Sequence, residues 1–259
     1  MSEQGHVHFS VDGGIASVTF DRPAARNAMT WGMYERLRAI CEQLRGDASV
    51  RVLRFQGAGG EAFVAGTDIA QFQDFRTGED GVQYERRIDA TIGLIASLPI
   101  PTVAVVQGWC IGGGLAIASA CDFRLATPGS KFGVPIARTL GNCLSIANVA
   151  GLVAAFGRPR VQRLLLLADL VAAEEAQACG YVLEVVPPEG IEAAAQKLCS
   201  KLASLAPVTQ QVSKEALNRL LKHDLPEAED LIRRTYGSED FREGVQAFVG
   251  KRPPAWKGR

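Results

Sequence analysis

Gln107-Gly108-Trp109-Cys110-Ile111-Gly112-Gly113-Gly114-Leu115-Ala116 sets three consecutive glycines between an apolar run and an apolar, helix-forming stretch. A second segment upstream, Phe63-Val64-Ala65-Gly66-Thr67-Asp68-Ile69-Ala70-Gln71-Phe72, has the same order of strand, glycine and short amphipathic piece. Glycine lets a ligand approach the backbone closely, and the start of a helix leaves N–H donors without partners. Donors of that kind suit an anion or a developing oxyanion. Neither segment is a Walker motif, because no Gly-Lys-Ser/Thr follows, and neither has the glycine spacing and downstream acid of a dinucleotide site.

Working outward, TVAVVQG (102–108) is a continuous apolar strand of the kind found where both faces of a sheet are covered. VRVLRFQG (50–57) reads as another strand. Between them the spacing predicts a helix over 82–98, with Ile88, Ile92 and Ile95 on one face and Pro99 and Pro101 ending it. Strand, helix and strand in this order imply right-handed crossovers and a parallel sheet. Nearer the start, HVHFSV (6–11) and IASVTF (15–20) flank Asp12-Gly13-Gly14 and form a hairpin, and Thr30 caps a helix running to Gly46. After Pro188 strands vanish, and 189–205, 207–222, 225–236 and 239–249 read as helices.

Composition limits the function classes. Lysine plus arginine (28) balances aspartate plus glutamate (28), which excludes a nucleic-acid binder that works through bulk charge. The six cysteines form no CxxC pair and have no histidine nearby, so no metal centre is expected, and they read as reduced core thiols of a cytoplasmic protein. The start, MSEQGHVHFS, lacks the basic-then-apolar order of a signal peptide, and no apolar run reaches membrane-span length. From Ala90 to Ala168 the sole carboxylate is Asp122, and there is no histidine.

Together, FVAGTDIAQF (63–72) and QGWCIGGGLAIASACDFRLAT (107–127) resemble the enoyl-CoA hydratase/isomerase, or crotonase, family. DRPAARNAMT (21–30), the segment 157–187 and SEDFREGVQAFVGKRPPAWKGR (238–259) extend the resemblance over nearly the whole chain. It implies an α/β fold: a spiral of strand-strand-helix turns over 1–195 with an acyl-CoA site, then a helical trimerisation region over 196–259. It also implies a homo-oligomer (trimer or dimer of trimers), a place in fatty-acid metabolism, and an acyl-CoA thioester as substrate, with no cofactor beyond the coenzyme A of that substrate. The family holds the thioester carbonyl between two backbone N–H groups, which motif position assigns to Ala65 and Gly113. Gly66, Thr67 and Asp68 would line the same site. Phe248 and Lys251 match residues that lie near CoA, and Arg26 lies where its phosphates or pantetheine would run. The basic tail (Lys251, Arg252, Lys257, Arg259) suits a polyphosphate.

The family's usual acids are missing. Hydratases carry a glutamate three residues after the middle glycine, where this chain has Ala116, and another after the proline of an FGxPE segment, which here reads Phe132-Gly133-Val134-Pro135-Ile136. General acid–base chemistry needs a titratable group within hydrogen-bond reach, and this window supplies none. Asp122 reads as a structural brace and Asp68 as a helix cap. Cys143 reads as a core thiol and Asn142 as a donor, while Glu61, Asp74, Glu85 and Asp240 are acids that the fold could carry inward. Arg138 could orient a carboxylate in a malonyl-type CoA decarboxylation, which generates an enolate without a base. The expected activity is therefore enolate stabilisation with poor hydration. Decarboxylation and non-catalytic acyl-CoA binding are the competing readings.

Overall fold

The computed structural model describes residues 5–258. Strands β1 (His6–Asp12) and β2 (Ile15–Asp21) pair antiparallel from His6↔Asp21 to Asp12↔Ile15, joined through Gly13 and Gly14 in left-handed conformation. This is the tight two-residue hairpin turn that matches strand twist. Thr30 accepts a hydrogen bond from the Met33 N–H and opens helix α1 (Trp31–Arg45), which buries Tyr34, Leu37, Cys41 and Leu44.

From there a unit of two strands and a helix repeats. It is β3 (Val52–Gly57), β4 (Ala62–Ala65) and α2 (Gly78–Ala96), then β5 (Thr102–Val106), β6 (Trp109–Ile111) and α3 (Gly113–Ala120). Next come β7 (Phe123–Ala126), β8 (Lys131–Gly133) and the single turn α4 (Ile136–Thr139). Helices α5 (Ile146–Phe156) and α6 (Arg158–Leu166), strand β9 (Leu170–Ala172), helix α7 (Ala173–Ala178) and strand β10 (Glu184–Val185) complete the core. The first strand of each unit enters a six-stranded sheet of order β1-β2-β3-β5-β7-β10, and the second enters a four-stranded sheet of order β4-β6-β8-β9. Pairing along the units is parallel, as the crossover order requires. The architecture is the expected α/β spiral of strand-strand-helix turns.

Helix α8 (Ile191–Ser204) lays Ile191, Ala195, Cys199 and Leu202 over Val52, Val103, Val105 and Leu125 of the larger sheet. It runs through residue 195, so the expected division at 195/196 falls inside an element of the core. Helix α9 (Pro207–Lys222) leaves Val208, Val212, Leu217 and Leu220 exposed. Helices α10 (Glu229–Tyr236) and α11 (Glu239–Val249) turn back onto the spiral. Gly81 makes this docking possible, because a Cβ there would lie 2.1 Å from the Tyr236 ring, so only a bare backbone lets that ring settle on α2.

Asp122 is the expected brace. It accepts hydrogen bonds from the Thr102 N–H (2.7 Å) and Oγ1 (2.9 Å) and pairs with Lys214 Nζ (2.7 Å), tying β5 to α9. Cys41, Cys110, Cys121 and Cys199 are buried free thiols, and Cys143 and Cys179 are half-buried. Among the described residues no helix is long and apolar enough to cross a membrane.

Candidate active site

The two glycine segments end side by side. Ala65 and Ile111 are register partners of β4 and β6. Just beyond them, a Cβ on Gly112 would lie 3.6 Å from the Gly66 Cα, and one on Gly113 would lie 3.4 Å from the Thr67 Oγ1 and 2.5 Å from the Tyr34 hydroxyl. At Gly113 only a bare backbone fits under the Tyr34 hydroxyl. The loop is pinned around this point. The Met29 N–H donates to the Gly66 carbonyl (2.9 Å), the Asp68 N–H to the Met29 carbonyl (2.9 Å), and the Gly112 N–H to the Gly133 carbonyl (2.9 Å). The Thr67 hydroxyl is held between those of Tyr34 (2.9 Å) and Tyr84 (3.0 Å).

These bonds correct one sequence expectation. The Ala65 N–H donates to the Arg26 carbonyl at 3.0 Å and is not free to receive a ligand. Among the described residues no protein acceptor pairs with the N–H of Thr67, two positions on, or with that of Gly113 at the start of α3. Both residues line a cavity of about 770 Å³, as do Ala65, Gly66 and Asp68. The aperture between the glycine segments therefore presents two unpaired donors, one of them at a helix N-terminus where the dipole favours negative charge.

Most other expected residues gather around the same cavity. Asp68 accepts from the Ala70 N–H (3.1 Å), the cap expected of it, and pairs with Arg22 (2.8 Å). Arg26 stands at the mouth with its guanidinium 5.7 Å from the Trp109 ring centroid. Phe248 and Lys251 reach the rim from the chain's end. Of the rest of the basic tail, Arg252 is paired with Glu243 and Lys257 with Glu239, while Arg259 lies outside the described residues. Ala116 and Ile136, at the positions where hydratases keep glutamates, both line the wall with apolar side chains.

Arg138 is not brought in. It is exposed on α4 and does not line the cavity, so the carboxylate-orienting role expected of it is corrected. The Cys143 thiol, pushed up to about 11 by burial, lies against the Leu231 carbonyl (3.9 Å), and among the described residues no base pairs with it. Of the acids outside the glycine segments, Glu61, Asp74 and Asp240 stay off the cavity. Glu85 is the one on its wall.

Glu85 sits on α2 next to Tyr84 and is 2 % exposed. Its Oε1 accepts from the Tyr236 hydroxyl (2.7 Å) and its Oε2 from the Ser145 N–H (3.1 Å). Asn142 Nδ2 donates to the Tyr236 oxygen (3.2 Å), while the buried Asn142 Oδ1 has no partner among the described residues. No lysine or arginine among the described residues pairs with Glu85. Burial raises its pKa to about 7, and Asp89 one turn further adds to the rise. The bonds from Tyr236 and Ser145 oppose it. A signal for this was present in the sequence: Glu85 precedes Ile88 by three and Ile92 by seven residues, so it falls on the helix's apolar stripe.

Below the glycine aperture a second, mainly apolar cavity of about 420 Å³ lies between α2, α3, α5 and α9. It shares Gly112, Ala116, Val134, Leu144 and Asn148 with the first.

The chain and its fold match one family throughout. The model of the enoyl-CoA hydratase/isomerase family matches residues 10–259. The short-chain-enoyl-CoA hydratase of Clostridium acetobutylicum is 30% identical over 96% of this chain and 97% of its own length. The (E)-benzylidenesuccinyl-CoA hydratase of Thauera aromatica is 31% identical over 97% of this chain and 99% of its own. Among solved structures, methylmalonyl-CoA decarboxylase complexed with 2S-carboxypropyl CoA superposes with a TM-score of 0.89 at 25% identity, covering 100% of both chains. The chain belongs to the enoyl-CoA hydratase/isomerase, or crotonase, family of enzymes.

Proposed function

We propose that the protein binds an acyl-CoA thioester and stabilises its enolate, with the thioester oxygen between the N–H groups of Thr67 and Gly113. The observation that carries this reading is the pair of unpaired donors facing one cavity across two abutting glycine segments. An enolate oxygen gains more from such fixed donors than a neutral carbonyl does, so the aperture favours the charged state. Lys251 and Arg26 at the rim suit the CoA phosphates, and the half-exposed Phe248 ring suits its adenine or pantetheine. Coenzyme A enters as part of the substrate, and no separate cofactor is required.

The acyl group runs past Ala116 into the second cavity. Where a glutamate would partition the two spaces, a methyl group leaves them adjacent. Medium or bulky acyl chains are therefore the preferred substrates. Ala116→Phe should reverse that preference, lowering kcat/KM for octanoyl- relative to butyryl-CoA by roughly tenfold or more, since a few lost methylene contacts carry that much discrimination. Equal rates on both esters before and after the change would refute the route.

Without acids at residues 116 and 136, water addition should be slow. With crotonyl-CoA we expect hydration at least about a hundredfold below that of the Clostridium relative. In D₂O, exchange of the α-protons of a saturated acyl-CoA should be readily seen by NMR. Hydration as fast as in ordinary hydratases would overturn the first expectation. Tight binding with neither exchange nor turnover would make the protein a non-catalytic acyl-CoA binder. The class of reaction is thus a CoA-thioester isomerase or lyase. The exposed apolar side chains of α9 (Val208, Val212, Leu217, Leu220) support assembly with copies of the same chain, as a trimer or a dimer of trimers. A cytoplasmic location agrees with the free thiols.

A further inference from the structure

We infer that Glu85 is the group that removes and returns the substrate α-proton, taking over the task from the absent glutamates by approaching from α2. The inference rests on the acyl-CoA reading above. Among the described residues Glu85 is the one carboxylate buried in the cavity wall. It follows Tyr84, whose hydroxyl binds Thr67, so the carboxylate and one proposed oxyanion donor are fixed by neighbouring residues of a single helix. Asp68, also at the cavity, is committed to Arg22 and the Ala70 N–H. Asp89, one turn beyond Glu85, is held by the Ser145 hydroxyl (2.6 Å) and Asn148 Nδ2 (3.0 Å).

The surroundings serve both protonation states. With Glu85 ionised, the Tyr236 hydroxyl and the Ser145 N–H donate to its two oxygens. With Glu85 protonated, its O–H donates to Tyr236. The tyrosine hydroxyl then turns to the Asn142 side chain, whose Oδ1 is the unpartnered buried acceptor, presented by rotation of the amide. A purely structural carboxylate needs no such slack. A proton carrier does, because it must be satisfied before and after the transfer.

The step balances within the site. The ionised Glu85 takes the proton as the Cα–H bond breaks. The C–H pair becomes the Cα=C bond, and the thioester π pair moves onto the oxygen between Thr67 and Gly113. Return of the same proton, or of a deuteron acquired from solvent, re-forms the thioester. Raised towards neutrality by burial, with Asp89 on α2 adding to the rise and Tyr236 on α10 and the Ser145 N–H opposing it, this base is poised for the task.

The test uses the full-length protein with butyryl-CoA in D₂O, alongside direct binding of the same ester. Glu85→Gln can keep its neighbours satisfied, with its carbonyl accepting from Ser145 and its amide donating to Tyr236. We expect it to bind the ester within a few-fold of the parent while α-proton exchange falls by about a thousandfold. Tyr236→Phe should keep exchange but move the rising limb of its kcat/KM–pH profile to higher pH, because it removes a bond that favours the carboxylate. Exchange undiminished in Glu85→Gln would overturn the role of Glu85 and leave the acyl-CoA reading intact. Parent protein that neither binds nor exchanges would overturn the reading itself. Exchange retained in Tyr236→Phe with an unmoved pH limb would reduce Glu85 to a structural residue.

Discussion

Gly113→Ala should lower α-proton exchange by about a hundredfold or more while the protein remains folded. A Cβ at this position would lie 2.5 Å from the Tyr34 hydroxyl and 3.4 Å from the Thr67 Oγ1. Tyr34 cannot swing away, because its ring is buried and its hydroxyl is fixed to Thr67 at 2.9 Å. The methyl group must therefore displace the first turn of α3, the Thr67 loop, or both. Those are the two carriers of the proposed donors, and losing one such donor costs about 3 kcal/mol of transition-state stabilisation. Exchange kinetics by NMR, with circular dichroism as the folding control, would measure the effect. Full activity in a folded Gly113→Ala protein would remove the aperture from the mechanism.

Glu85→Gln should raise stability above neutral pH, in opposition to its effect on exchange. In the folded protein burial raises the Glu85 pKa to about 7, from an unfolded value of 4.5. Between those two values the native state keeps a proton that the unfolded state releases, so stability falls as pH rises, and above about 7 the loss is complete. A gap of this size corresponds to about 3 kcal/mol. Glutamine carries no such penalty. Urea unfolding at fixed protomer concentration should find the variant's advantage over the parent growing from pH 5 to pH 8. Parallel stability curves for the two proteins would mean that Glu85 is already solvated and ionised in the native state.

Much of the scaffold was legible in the residues. The alternation around Asp12-Gly13-Gly14 gave the hairpin, the apolar periodicities gave α1 and α2, and the paired glycine segments located the site. What escaped depended on partners distant in sequence. Whether the N–H of Ala65 or that of Thr67 is free turns on the Arg26 carbonyl, and no spacing within Phe63–Phe72 reports that. Arg138 looked well placed because it follows the usual acid position, yet the single turn of α4 points it outwards. Glu85 lies in Tyr84-Glu85-Arg86-Arg87, a run that resembles a solvated face. Its position on the Ile88–Ile92 stripe distinguished it, but its hydroxyl partner, Tyr236, comes from the far end of the chain.

That separation bears on how the protein comes into use. The carboxylate on α2 and the tyrosine that steadies it are 151 residues apart, and α10 settles only where Gly81 leaves room for it. The glycine aperture is built from residues 63–116, whereas the cavity in front of it takes Phe248 and Lys251 from the last stretch of the chain. On the role proposed for Glu85, the closing helices thus belong to the reactive site as well as to the scaffold.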